Sequence, residues 1–430
     1  MPGSLRITAT TVDPGLLDLP WDQPLERWDD EHIAALPKGI SRHVVRLAHL
    51  ADHVVAIKET TEELASREYE MLRTLQRLQV PCVEPVAVVA NRADATGGPL
   101  DTALVTRHLR FSMPYRAVYS QRLRPGTAKR LVDALAVLLV RLHLAGFFWG
   151  DVSLSNTLFR RDAGAFAAYL VDAETGELFE SGLTAGQREH DLEIARINIA
   201  GELLDLQAGD RLEDDIDPIA VSERIVQKYR DLWQELTGSE QFEQSERWRI
   251  NQRVERLNEL GFDIEEFEIH TDENGTTVRL KPKVVDAGHH SRRLLRLTGL
   301  DAEENQARRL LNDLDGYRVR SASGVDEEVA AHEWLTKVFE PVIAAIPREL
   351  RGKFEAAEIF HQLLEHRWFR AQSESRDVPL SEALTSYIDT VLRHRRDEHT
   401  IVEPPTDSIQ IIEGLEHPDT TSSIDWRDLV

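Results

Sequence analysis

The stretch Leu142-His143-Leu144-Ala145-Gly146-Phe147-Phe148-Trp149-Gly150-Asp151, followed by Ser153 and Asn156, decides the reading of this chain. It closes a long amphipathic helix. Leu131, Leu135, Leu138, Leu139 and Leu142 recur at helical spacing, and Pro125-Gly126 precedes Thr127, the expected N-cap. Two short apolar strands follow, around Thr157–Phe159 and Ala168–Val171, and the second runs into Asp172.

Working towards the N-terminus, His43–Leu47 and His53–Lys58 are rich in β-branched residues and read as a hairpin turning at Ala51-Asp52. Leu64, Tyr69, Leu72, Leu75 and Leu78 then mark a helix over Thr61–Leu78. Pro81–Ala90 and Thr102–Leu109 read as two more strands around the Gly-rich turn Asn91–Pro99. This order puts Lys58, in Val55-Ala56-Ile57-Lys58, at the end of a strand and Arg67-Glu68 on the helix after it. Phosphoryl transfer from a nucleoside triphosphate needs a cation on the phosphates and a carboxylate to hold that cation. It also needs a carboxylate near the acceptor hydroxyl and oxygen ligands for Mg²⁺. Lys58, Glu68, Asp151 and the pair Asn156 and Asp172 supply each of these once, in that order along the chain.

Over roughly residues 38–235 these segments together resemble the protein-kinase-like superfamily, nearer its small bacterial branch than the eukaryotic protein kinases. That branch holds RIO-type kinases, aminoglycoside phosphotransferases and lipopolysaccharide core kinases. Arg67-Glu68-Tyr69-Glu70-Met71-Leu72 with Val80-Pro81 is similar to its third-strand-to-helix region, and Leu142–Asp151 with Ser153 and Asn156 to its catalytic loop. The resemblance implies an α+β, two-lobed fold and ATP and Mg²⁺ as cofactors. It implies Lys58 on the α- and β-phosphates, paired by Glu68, with Glu70 the alternative by register. It implies Asp151 as the carboxylate that orients the acceptor and takes its proton, Asn156 and Asp172 on the metal, and Gly39 in the nucleotide lid. Asp191, in Glu189-His190-Asp191-Leu192, resembles the buried helix aspartate that anchors the catalytic-loop backbone.

Three features depart from that pattern. The lid segment Lys38-Gly39-Ile40-Ser41-Arg42 has one glycine, so it offers fewer close backbone N–H groups to phosphates. Trp149 stands where the family usually has a histidine, at a position that packs under the loop. Asp172-Ala173-Glu174 replaces Asp-Phe-Gly, and Glu174 reads equally as an extra metal ligand or as the start of the next turn. The segment from Asp172 to the helix at Gln187 is short, which favours a small-molecule acceptor or a dedicated protein over general protein phosphorylation.

The rest of the chain divides by composition. The arm, residues 1–37, carries four prolines in its first 36 residues and reads as irregular with one short helix at Glu31–Ala35. The kinase-like domain spans 38–235, and a helical C-terminal domain spans 236–397. Within the latter, Glu273-Asn274-Gly275 between alternating segments predicts a β-hairpin over 264–285. Asp301 and Glu304 suggest a capping-box start to a later helix. Trp334, Phe339, Phe354, Phe360 and Trp368 recur at helical spacing and read as core. Residues 398–430 form an acidic, Pro-containing, solvated tail. As a whole the chain resembles an uncharacterised bacterial family that joins a kinase-like region to a helical domain of unknown function.

Composition bounds the partners. With 51 basic and 75 acidic residues the net charge is −24, which disfavours nucleic acid and anionic lipid. A single cysteine, Cys82, excludes an intrachain disulfide framework. The longest apolar run, Ala134–Val140, is far short of a membrane span, and no secretory signal is readable, so a cytoplasmic location is expected. The stretch Arg279–Arg320 is locally basic. Gly288-His289-His290-Ser291-Arg292-Arg293 opens a helix there, which makes Arg292, Arg293 and Arg296 a candidate site for an anionic acceptor. His289-His290 is a weaker metal candidate. The expected function is an ATP- and Mg²⁺-dependent phosphotransferase. The alternative is a kinase-like scaffold that binds a regulatory partner through its C-terminal domain.

Overall fold

The fold is taken from a computed structural model, which describes residues 4–11, 13–29, 44–50, 53–119, 126–243, 246, 248–271, 277–321 and 326–395. Gly39, the expected helix at Glu31–Ala35, the turns at Ala51-Asp52 and Glu273–Gly275, and the acidic tail lie outside these residues. The chain forms two units. The first holds residues 1–160 and 165–287, and the second holds 161–164 and 288–430.

The first unit begins with a five-stranded antiparallel sheet in the order β1-β4-β5-β3-β2. Its strands are β1 (Arg6–Ala9), β2 (Val45–Leu50), β3 (His53–Thr60), β4 (Pro85–Ala90) and β5 (Thr102–Arg107), with helix α1 (Glu62–Arg77) between β3 and β4. Strand alternation decides what faces what. Val55 and Ile57 of β3 point to one face, with Ala87 and Val89 of β4, into a core completed by Leu16, Leu19, Trp21, Leu25 and Trp28. Val88 and Leu104 point to the other face, against Ala65 and Tyr69 of α1. Lys58, one residue after Ile57, therefore reaches α1 and not the arm.

The arm was expected to be irregular, and here the structure corrects the reading. Arg6–Ala9 pairs with β4 as an edge strand, and residues 13–28 bury five large apolar side chains on the sheet. The buried Arg92 fixes them. Its guanidinium donates to the carbonyls of Trp21 and Asp101 and to the carboxylate of Glu59, which also accepts from Leu25 N. The arm carries Trp and Leu without helical or strand periodicity, so only the sheet face it covers reveals its role.

Next come β6 (Met113–Pro114), α2 (Tyr115–Tyr119), α3 (Thr127–Leu144), β7 (Phe147–Phe148), β8 (Thr157–Asp162), β9 (Ala165–Leu170), β10 (Glu177–Leu178), α4 (Ala185–Ala208) and α5 (Pro218–Thr237). The leucine stripe of α3 is buried as its spacing predicts. Its N-cap is Gly126, in a left-handed conformation, and not Thr127. Strands β6, β8 and β9 form one small sheet, and β7 pairs with β10. The unit closes with β11 (Glu240–Glu243), α6 (Trp248–Glu259), β12 (Phe262–Thr271) and β13 (Thr277–Ala287). The expected hairpin is therefore present, as β12 and β13. It belongs to the first unit and not to the helical C-terminal one, because β13 lies against α5 and α6 against β12.

The second unit is helical: α7 (His289–Thr298), α8 (Glu304–Ser321), α9 (Glu327–Trp334), α10 (Glu340–Ala345), α11 (Ala356–Glu374) and α12 (Leu380–Thr390). Trp334, Phe339, Phe354 and Phe360 are in its core. Trp368 is not, being 58% exposed. Helix α8 starts at Glu304, so Asp301 is no cap to it, and Glu304 serves α7 instead. The tip between β8 and β9 is held within this unit. Asp162 accepts from Gln306 N and from Asn305 Nδ2, both at 2.8 Å. Glu358 accepts from Ala163 N at 3.0 Å and from Gln306 Nε2 at 3.2 Å.

Candidate active site

Strand alternation and helix capping bring the first half of the site together. Thr61 caps α1 by accepting from Leu64 N, and the helix then carries Glu68 inward, 1% exposed. Lys58 Nζ donates to Glu68 at 3.0 Å, to Asp172 at 2.8 Å and to Glu174 at 2.8 Å. The choice between Glu68 and Glu70 is thereby made, since Glu70 is on the outer face of α1 and pairs with Arg73. Three carboxylates share one ammonium. Burial pushes the Glu68 carboxyl up to about 8, the charge of Asp172 adds to that, and Lys58 opposes it. Burial works against the Lys58 ammonium too, but the charges of Glu68 and Asp172 outweigh it and hold the lysine charged.

The catalytic-loop stretch forms the second half. The turn after α3 needs Gly146 at φ +80°, where a Cβ would clash with the carbonyl of Phe179. Gly150, at φ +76°, lets the chain reverse before Asp151. Trp149 is fully buried, and its indole N–H donates to the carbonyl of Asp172 at 2.9 Å. The tryptophan therefore links the loop to the Asp172 segment. Asn156 Nδ2 donates to both Asp151 Oδ2 and Asp151 O at 3.1 Å. Val171 N donates to Asn156 O at 3.0 Å, closing the base of the β8–β9 hairpin so that Asn156 and Asp172 come out side by side.

Helix α4 braces this loop from below. The buried Asp191 accepts from Trp149 N at 2.9 Å and Gly150 N at 2.8 Å, and also bonds His143 at 3.1 Å. Asn198 donates to Asp151 Oδ1 at 3.3 Å and to Val152 O at 3.2 Å. Glu202 accepts from Leu154 N at 2.6 Å and Ser155 N at 2.9 Å. Sequence reasoning singled out Asp191 but missed Asn198, Glu202 and His143. A signal was present: Asp191, Asn198 and Glu202 stand seven and four residues apart, which the helical repeat puts on one face.

The donor set suits a hard divalent cation. Among the described residues, ligand atoms of Glu68, Asp172 and Glu174 lie within 4.8 Å of one another, all oxygens, with the Lys58 ammonium among them. Glu174, left open by the sequence, thus points into the cluster, and its backbone N–H donates to Asp172 Oδ1 at 2.9 Å. His289 and His290 are not in this group. Part of the basic stretch is taken up by the chain's own acids. The amides of His290 and Ser291, at the start of α7, donate to Glu304 at 2.7 and 3.0 Å, so the helix N-terminus is filled by the chain's own carboxylate. Arg293 pairs with Glu327 and Asp315, and the charge of Arg296 also acts on Glu327.

No helix among the described residues is long and apolar enough to cross a membrane. Residues 44–198 match the model of the Lipopolysaccharide kinase (Kdo/WaaP) family, and residues 231–392 match that of a Domain of unknown function (DUF4032). No curated protein shows a match to the chain. Among solved structures it is similar to one titled "WaaP in complex with acyl carrier protein", at 17% identity and a TM-score of 0.33, over 46% of this chain and 79% of that one. By these matches the chain is similar to lipopolysaccharide kinases over residues 44–198 and to a domain family of unknown function over 231–392, the pairing that its motifs resemble.

Proposed function

We propose that the first unit is an ATP- and Mg²⁺-dependent phosphotransferase acting on a small molecule or a dedicated protein acceptor. The observation that carries this is the convergence of Lys58, Glu68, Asp172 and Glu174 on one point, with Asp151 and Asn156 fixed to the same hairpin base. Asn156 and Asp172 would hold the metal, with Glu174 adjoining. Bound Mg²⁺ neutralises charge developing on the phosphoryl oxygens. Glu68 keeps the Lys58 ammonium aimed at the place where α- and β-phosphates would lie. Asp151 receives the acceptor hydroxyl, orients it in line and takes its proton. Gly39 would lie in the lid over the nucleotide. Asp172 and Glu174 now spend their carboxylates on Lys58, so phosphates and metal would redistribute these contacts without adding a buried charge of one sign.

Thermal unfolding with and without ATP and Mg²⁺, together with transfer of labelled γ-phosphate, tests the reading. A ligand at 100 times its Kd adds about 2.7 kcal/mol to stability. A clear Mg²⁺-dependent shift with ATP, accompanied by turnover, is expected. No shift at millimolar ATP·Mg²⁺ and no turnover would overturn the reading in favour of a kinase-like scaffold.

A further inference from the structure

We infer that Asn198 is a positioning residue for Asp151: its side-chain amide, carried on α4, holds the carboxylate in the orientation that meets the acceptor hydroxyl. The inference rests on the phosphotransferase reading above. Both hydrogens of the Asn198 NH₂ group are spent on one loop, one on Asp151 Oδ1 at 3.3 Å and one on Val152 O at 3.2 Å. Side chain and main chain of neighbouring residues are thus clasped by a single rigid plane. Oδ2 is held separately, by Asn156 at 3.1 Å. The two amides are not equivalent. Asn156 lies in the loop itself and would turn its oxygen to the metal, so its hold on Asp151 depends on what that site contains. Asn198 stands on a helix of 24 residues whose same face fixes the loop at Trp149 and Gly150 through Asp191, and at Leu154 and Ser155 through Glu202. Between these anchors it supplies a hold on the carboxylate that comes from outside the loop. Groups mounted on helices keep their geometry better than groups on loops.

The chemistry asks for an amide. A carboxylate oxygen has two lone pairs, so one bond from Asn198 orients Oδ1 without exhausting it. The amide carries no charge and donates. An aspartate of the same shape would only accept when ionised, and would set two carboxylates face to face.

That difference provides the experiment. Asn198→Ala and Asn198→Asp are purified as full-length protein, and kcat and KM for ATP·Mg²⁺ are measured beside melting temperature. Loss of a supporting contact to a reacting group typically costs about 10–100-fold. The expected result is a fall of that size in kcat for Asn198→Ala, KM for ATP within about twofold of wild type, and kcat for Asn198→Asp no higher than for Asn198→Ala. Unchanged kcat in Asn198→Ala would overturn the inference. So would recovery in Asn198→Asp, since that variant restores shape without the donor and would show a packing role. If wild type itself turns over no ATP, the phosphotransferase reading fails separately. Crystal structures of wild type and Asn198→Ala then decide the inference: an Asp151 carboxylate that stays put in the variant overturns it, and one that rotates away supports it.

Discussion

Two acidic clusters, each with a buried carboxyl and one in each unit, make an instructive contrast. Around Lys58, three carboxylates share one ammonium, and Glu68 is pushed up to about 8 by burial and by the charge of Asp172. Around Asp162, the acids are met by neutral amides: Asn305 and Gln306 on Asp162, and Ala163, Gln306 and Gln362 on Glu358. Burial, with the charge of Glu303 second, raises Asp162 to about 7. Both clusters perturb a carboxyl, yet only in the first do the carboxylates meet a cation, the Lys58 ammonium, while in the second neutral amides satisfy them. A raised carboxyl alone therefore does not mark a functional site. The kind of partner, an ammonium or neutral amides, separates the two.

The contrast would break most visibly at Asp151, the proposed proton acceptor. Asp151→Asn keeps the shape of the loop and removes the proton acceptor. Turnover should fall by about 10²–10⁴-fold while ATP·Mg²⁺ still stabilises the protein. Lys58→Met comes next. It would remove the proposed charge-assisted contact to the phosphates, worth about 1.5–3 kcal/mol, and calorimetry should show ATP binding weakened by that amount. ATP affinity equal to wild type would mean that Lys58 is a structural cation. Asp172→Asn should raise the Mg²⁺ concentration needed for half-maximal activity by roughly tenfold. An unchanged Mg²⁺ requirement would shift the metal role to Glu174 and Glu68.

The smallest effect belongs to the second cluster and concerns stability. The folded chain holds a proton on Asp162 up to about pH 7, whereas an unfolded aspartate releases it near its ordinary value of 3.8. Between those limits the folded state binds more protons, so this group's contribution to stability falls as pH rises through the window and levels off above it. The slope it adds is at most about 1.4 kcal/mol per pH unit. Asp162→Asn should flatten denaturant midpoints across pH 4–7. If the variant keeps the wild-type slope, amide bonds already hold Asp162 ionised and the contrast between the clusters narrows.

How much of this was legible beforehand depended on whether a contact is local. The leucine stripe of α3 lies within one element, and period alone exposed it. The β2–β3 hairpin and α1 were readable for the same reason, and with them the approach of Lys58 to Glu68, ten residues apart along strand and helix. The order of Lys58, Glu68, Asp151, Asn156 and Asp172 suggested a chemistry because phosphoryl transfer calls for a cation on the phosphates, oxygen ligands for Mg²⁺ and a group that positions the nucleophile, and the chain supplies each in a kinase-like order.

Tertiary structure decided whatever depends on which faces meet. Residues 13–28 have no period, so only the sheet shows them to be core. Glu304 lies within capping distance of Asp301 in sequence, yet it caps α7, because closing a turn between two helices brings its carboxylate to other amides. Arg292, Arg293 and Arg296 looked available in a list of charges, and the fold gave Arg293 its own acids. Asn198 is an ordinary polar residue in sequence. It gains meaning only when α4 passes under the loop and its amide falls between Asp151 and Val152. A sequence carries its periods and the chemistry of its side chains. Which donor meets which acceptor across 47 residues is fixed only when the helices pack.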